Sequence, residues 1–329
     1  MGIPNTNVRK FPAFHPPIWG FENRTRQGLR RVSYSQTLYV DGRTNTDGSG
    51  AAVGNDNFPG TDPEHPKATI QSAIDAVTEA GTQIIVAPAS YTENLTIGAS
   101  DPEYCAIIGA GSQESGWYPE ITASDTSDDI LHVRAIGWLI EDLLFNCPAS
   151  AAGILLQGTG SDGAYKTTIR NCVFDGLYTG LYGIEFYGAP HRVTIEGCEF
   201  IELYNEGGTA YAIVVTNSAD SDPYECKILD NLFWENNNHV SGLGVRGWNV
   251  SLFRGNVFGY GALIHPTVYL NLAGGAPGGN IVSGNYFCGT YSVAGGYTSN
   301  TGNWNGNYTE SAVAGGVVSP NKMTIATPP

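Results

Sequence analysis

Basic residues are scarce in this 329-residue chain: Lys and Arg total 16 against 31 Asp and Glu, and only 14% of residues are charged. Methionine occurs twice, and so thin a supply of Lys and Met, both strong helix formers, disfavours a helical bundle. No window holds the run of about 18 apolar residues that a membrane helix needs, so no span is expected. The opening MGIPNTNVRKFPAFHPP lacks the apolar core of a signal peptide, and synthesis in the cytoplasm without secretion is expected. Cys105, Cys147, Cys172, Cys198, Cys226 and Cys288 are spread out with no CxxC among them. That excludes the usual zinc and redox spacings and reads as reduced, mostly buried thiols. The sequons at Asn23, Asn94, Asn249 and Asn307 then mean nothing. His132, His191, His239 and His265 form no HxH or HExxH, so neither metal nor cofactor is called for.

What is abundant is glycine, 43 residues, together with Tyr, Thr, Val and Ile, the composition of a β-rich chain with many corners. Charge is unevenly placed. Residues 1–36 hold Arg9, Lys10, Arg24, Arg26, Arg30 and Arg31 against Glu22 alone, a net of +5, which leaves 10 basic and 30 acidic residues elsewhere, a net of −20. A basic arm on an acidic body marks an interaction segment. Its FPAFHPPIWGF stretch, which includes Trp19, suits an extended segment laid in a protein groove. Protein docking is therefore the favoured role of Arg9, Lys10, Trp19, Arg24, Arg26, Arg30 and Arg31, with nucleic-acid contact and a solvated tail as alternatives.

TIRNCVF (Thr168–Phe174) and TIEGCEF (Thr194–Phe200) share a frame, an apolar residue followed five positions later by Phe. It recurs at Ile140–Phe145, Ile169–Phe174, Ile195–Phe200, Ile228–Phe233, Phe253–Phe258 and Val282–Phe287, with Phe-to-Phe intervals of 29, 26, 33, 25 and 29. Such a period belongs to stacked solenoid coils. Residues five apart in a straight strand face opposite sides, so both reach one core only if a corner lies between them. Asp142, Asn171, Gly197, Asp230, Gly255 and Gly284 stand three before each Phe, and these types best tolerate the positive φ of a sharp corner. Leu143, Cys172, Cys198, Asn231, Asn256 and Asn285 follow them. Stacking places these in one column, where asparagine amides bond along a ladder and cysteine is a small filler of similar reach. The expected structural ladder is Cys172, Cys198, Asn231, Asn256 and Asn285.

Ahead of the frame, TLYVDG reads as a strand, residues 68–81 (ATIQSAIDAVTEAG) as a helix stopped by Gly81, and QIIVAPASYTENLTI as two strand-like runs around Pro88. The helix would cap the solenoid's open end. The expected division is an arm at 1–36 and a solenoid at 37–329, with a capping segment at 37–81, coils over about 82–310 and a tail at 311–329.

Tyr39-Val40-Asp41, GTDPEHPKATIQSAIDAV, QIIVAPASYTENLTI and the N-x-F coil frame resemble the pectin-lyase-like superfamily over about residues 38–310. The resemblance implies an all-β fold: a right-handed single-stranded parallel β-helix with an N-terminal capping α-helix and an extended arm. Function is less constrained, because this fold carries lyases, hydrolases, adhesins and phage tail or capsid proteins. The G-H-G and R-I-K signatures of its hydrolases are absent, and DD occurs once, at Asp128-Asp129, without its partners, so no catalytic residue carries over. Candidate chemistry is left to the column Glu141, Arg170 and Glu196, four before the Phe. It is either a surface charge ladder or an acid/base pair, Glu141 with Glu196, two coils or about 9.6 Å apart. Trp117, Tyr118, Trp234, Trp248 and Trp304 are candidates for stacking on sugar.

The resulting expectation is a structural component of a bacteriophage particle, a head decoration, fibre or spike protein. It would dock to capsid or tail proteins through residues 1–36, reside in the virion, and form a homotrimer by analogy with phage β-helix proteins. The alternatives are a polysaccharide-degrading depolymerase or lyase of tailspike type, and a non-catalytic adhesin for a cell-surface polysaccharide.

Overall fold

The computed structural model describes residues 34–43, 53–111, 118–159, 162–216, 222–242, 247–259, 266, 268–272, 279–288, 297–298, 302–310 and 323–325. Arg9, Lys10, Trp19, Arg24, Arg26, Arg30 and Arg31 lie outside them, as does most of the 311–329 tail.

Short strands wind into a parallel β-solenoid of the right-handed type, with three sheets around one core. Sheet 1 has ten strands, from Gln36–Val40 through Leu139–Glu141, Thr168–Arg170 and Thr194–Glu196 to Gly302–Asn305. Sheet 2 follows it directly in each coil, as in Leu144–Asn146, Val173–Asp175, Glu199–Ile201 and Leu232–Trp234. Sheet 3 includes Leu131–Val133 and the longer strands Ala152–Thr159, Tyr182–Gly188 and Tyr211–Val215. Among the described residues, pairing is parallel except at Asp162–Gly163 and Met323–Ile325.

Ile140, Ile169, Ile195, Ile228, Phe253 and Val282 stack in register in sheet 1. Phe145, Phe174, Phe200, Phe233, Phe258 and Phe287 do so in sheet 2. All twelve are fully buried. Successive Phe rings lie 4.7–5.2 Å apart, within 9° of parallel, so the coil spacing itself sets an aromatic stack. Both residues of each frame reach the core because the chain turns between them. Asp142, Asn171 and Asp230 adopt φ of 52–56°, and Gly197, Gly255 and Gly284 adopt 63–69°.

Stacking begins earlier than the Phe frame. Leu38, Ile84 and Ile107 precede Ile140 in its column, and Tyr91 and Ile121 precede Phe145. Those coils lack the Phe, which is why a frame ending in Phe misses them. The helix, in turn, is shorter than its 68–81 pattern and covers only Ile70–Asp75. The Thr69 hydroxyl accepts the Ser72 N–H, and the Glu93 carboxylate accepts the N–H groups of Ile70 and Gln71 at 2.9 and 3.0 Å. Ile70, Ala73 and Ile74 face the core, and Val77 stays buried after the chain leaves the helix at Ala76. Burial, not length, holds this helix.

Candidate functional site

The ladder is a structural device. The Asn231 amide donates to the Ile195 carbonyl at 3.1 Å and to Asn256 Oδ1 at 3.0 Å. Asn256 repeats this toward Ile228 and Asn285, and Asn285 toward Phe253 and Asn307. The Cys198 N–H donates to Asn231 Oδ1 at 2.9 Å. The thiols of Cys198 and Cys172 each lie 3.7 Å from the carbonyl, of Ile169 and Ile140 respectively, that an amide would reach from the same position. Burial pushes the Cys172 thiol well up, which leaves it unreactive. Asn307 escaped the sequence frame because Thr309 stands where the Phe would be.

Glu141, Arg170 and Glu196 stack in one outward column of sheet 1. Arg170 Nε lies 2.8 Å from Glu141 Oε1, and Arg170 occupies the rung between the two glutamates. A sugar entering between them would have to displace that guanidinium. Beside them, burial and then the Glu141 charge push the Asp142 carboxyl up to about 6, against the Asn171 hydrogen bond and Arg170.

A second constellation lies on sheet 3. Leu131, Val133, Ile154, Leu156, Ile184, Phe186, Ile213 and Val215 point inward and are fully buried. By the two-residue alternation of a strand, His132, Leu155, Glu185 and Val214 form an outward column. His132 Nε2 lies 2.7 Å from Gln157 Oε1, an acceptor, so Nε2 carries the proton. Asp129, just ahead of the strand, accepts the Ala152 N–H at 2.8 Å. The Thr216 hydroxyl donates to Glu185.

Both carboxyls are pushed up. Burial is the main cause for Asp129, with Asp128 adding to it and the Ala152 N–H and His132 opposing. Burial also dominates at Glu185, where the Asp129 charge adds and the Thr216 hydrogen bond opposes. Tyr182 and Tyr211 of neighbouring coils lie 6.2 Å apart with their rings tilted by 45°, and Tyr187, paired with Gln157, is 43% exposed. Carboxyls, an imidazole, an amide and an aromatic ring on one face are the groups that hold sugar hydroxyls and ring faces.

The sequence left Asp129 and His132 as isolated residues. Sheet 3 follows the Phe of each coil at no fixed distance: Ile154, Ile184, Ile213 and Val240 lie 9, 10, 13 and 7 residues after Phe145, Phe174, Phe200 and Phe233. The other candidates disperse. Trp248 is buried against Phe186 and Phe253, and Trp234 is 37% exposed on sheet 2. His239 is buried, burial lowers its pKa to about 3, and its Nε2 donates to the Gly259 carbonyl at 2.8 Å. Trp117 and the Trp304 side chain lie outside the described residues. Among the described residues, no group of three or more His, Cys, Asp or Glu side chains is placed to hold a metal ion.

No family model matches the chain, and no curated protein matches it. Among solved structures it is similar to an alginate lyase from Paenibacillus sp. str. FPU-7, with a TM-score of 0.53, 15% identity, and coverage of 73% of this chain and 92% of the other. The chain has the parallel β-helix fold. It is also similar to carrot pectin methylesterase (TM-score 0.47, 13% identity, 85% of this chain and 84% of the other). A further likeness is to ORF18 of Geobacillus virus E2 (TM-score 0.40, 13% identity, 74% of this chain and 57% of the other).

Proposed function

We propose that this chain is a structural component of a bacteriophage particle, a head decoration, fibre or spike protein. It docks to capsid or tail proteins through residues 1–36, assembles as a homotrimer, and turns the sheet 3 face of its β-helix toward a polysaccharide. The observation that carries the polysaccharide contact is the grouping of Asp129, His132, Gln157, Glu185 and Tyr187 on one outward face. The docking reading rests on the basic residues 1–36 against an acidic remainder. The test is peptide mass spectrometry on particles banded in a density gradient. Stoichiometric peptides that survive a high-salt wash are expected; peptides confined to the soluble fraction would sink the particle reading. Normal incorporation of a chain lacking residues 1–36 would overturn the role of the arm.

A second reading, cleavage of the polysaccharide, is favoured by one specific observation: Asp129 and Glu185 are neighbouring carboxyls that both hold protons more tightly than usual, as a general acid must. An assay on a carbohydrate polymer then separates the candidates. Asp129→Asn and Glu185→Gln are each expected to lose about 100-fold in rate, with Glu196→Gln near wild type. Collapse with Glu196→Gln alone would move the chemistry to the sheet 1 column. Absence of cleavage by the wild-type chain on every polymer that it binds would leave binding as the role.

A further inference from the structure

We infer that the later coils of sheet 2, with the adjoining part of sheet 1, form the surface on which a second copy of this chain docks. The inference rests on the self-association contained in the proposed function and names its face. In sheet 2 the outward residues change character along the stack. The early strands present Ser90 and Thr92, then Glu120 and Thr122, then Leu144 with Asn146 and Val173 with Asp175, and the strand before Leu232 presents Glu199 and Ile201. The later strands present Leu232, Val257, Tyr286 and Tyr308 in one column, with Trp234 beside Leu232. Their inward neighbours Phe233, Phe258 and Phe287 are fully buried. The strands of Leu232, Val257 and Tyr286 therefore carry apolar residues in both the inward and the outward column, the pattern of a sheet covered on both sides, while the Tyr308 strand has Thr309 at the inward position.

Exposed apolar residues recur on the sheet 1 side of the same coils, beyond Arg254 and Ser283 at the corner. Of the eight exposed large apolar residues among the described residues, Trp234 (37%), Tyr308 (41%), Ile281 (47%) and Val250 (56%) belong to these coils, a concentration that marks an interaction site. Trp234 is also fixed in place. Its ring lies against Gly259 of the next coil so closely that a Cβ there would come within 2.4 Å of it, so little side-chain freedom is lost on contact.

Charge selects the occupant. Residues 37–226 contain 6 basic and 27 acidic side chains, whereas residues 227–329 contain 4 basic and 3 acidic, nets of −21 and +1. A basic partner would be drawn to the earlier coils. The acidic coils of two copies repel one another, whereas the later coils, near neutral in net charge and lined by apolar residues, meet without that repulsion. The partner that fits this strip is a second copy, in contact through residues 232–308 with the acidic coils held apart.

The test is light scattering on the purified full chain after size exclusion, at low and high salt. A mass that is a multiple of 35.0 kDa is expected, with association tightening as salt screens the acidic coils. The Trp234→Glu, Tyr308→Glu double variant should run at the single-chain mass with an unchanged thermal midpoint. Tyr104→Glu, an exposed aromatic on the acidic coils, should keep the wild-type mass. A wild-type chain at single mass under every condition overturns the inference, as does a double variant that stays associated or a Tyr104→Glu variant that dissociates. A single-mass wild type found stoichiometrically in banded particles would overturn this inference and the homotrimer with it, and would leave the particle reading standing.

Discussion

Asp142 holds two roles that pull against each other. Its backbone makes the corner at a φ of 56°, which a short polar side chain tolerates. Its carboxyl is half-buried next to Glu141, which keeps its pKa at about 6. The folded value lies above the usual 3.8, so the stability contributed by binding this proton is complete below about pH 4 and lost as pH rises through 6. Asn at this position keeps the corner and removes the charge. Asp142→Asn is therefore expected to stabilise the fold near neutral pH by roughly 1 kcal/mol, a figure discounted for solvent screening at a half-exposed site. The gain should vanish below about pH 4. Thermal melts of both chains across that range check it, and an equal gain at every pH would mean that charge is not the cause.

A ladder rung is worth more than a surface contact because its partners have nowhere else to go. In Asn256→Ala, the Asn231 N–H and the Ile228 carbonyl lose their partners, an expected cost of about 3 kcal/mol in urea unfolding. Cys198→Asn should do the reverse: it adds an amide where the Ile169 carbonyl already waits, so stability within about 1 kcal/mol of wild type or above it is expected. Loss of the fold in that variant would show that the sulfur is required for its shape. Corner and ladder were legible in the sequence because Ile, the corner residue, Asn or Cys, and Phe keep fixed offsets in each coil. The sheet 3 face was not, because the loop between Phe and the next strand varies from coil to coil. Asp129, His132 and Glu185 come together only when Leu131, Ile154 and Ile184 are laid in register. The first coils were hidden for a different reason: Tyr91 and Ile121 fill the Phe position with other bulky side chains.

At the scale of the molecule, each coil touches only its neighbours, so a whole coil is a removable unit. Deleting residues 175–200 joins Phe174 to Ile201, the residue that follows Phe200, and keeps every column in phase. A cooperative melt lowered by roughly 5 °C or less is expected, whereas deletion of residues 175–187 should abolish folding by turning the columns out of phase. Circular dichroism of the two chains decides this; equal behaviour would contradict a core built of interchangeable coils. The order of residues at the corner bears on a different property, chemical ageing. Asparagine loses its amide when the next backbone nitrogen attacks the side chain, fastest when that next residue is glycine. Here glycine precedes the asparagine, as Gly255-Asn256, Gly284-Asn285 and Gly306-Asn307. The nitrogens that follow, of Val257, Tyr286 and Tyr308, are each held at 2.8 Å by the carbonyl of the asparagine one coil earlier. The bond that stacks one coil on the next thus also ties down the atom that would deamidate the ladder.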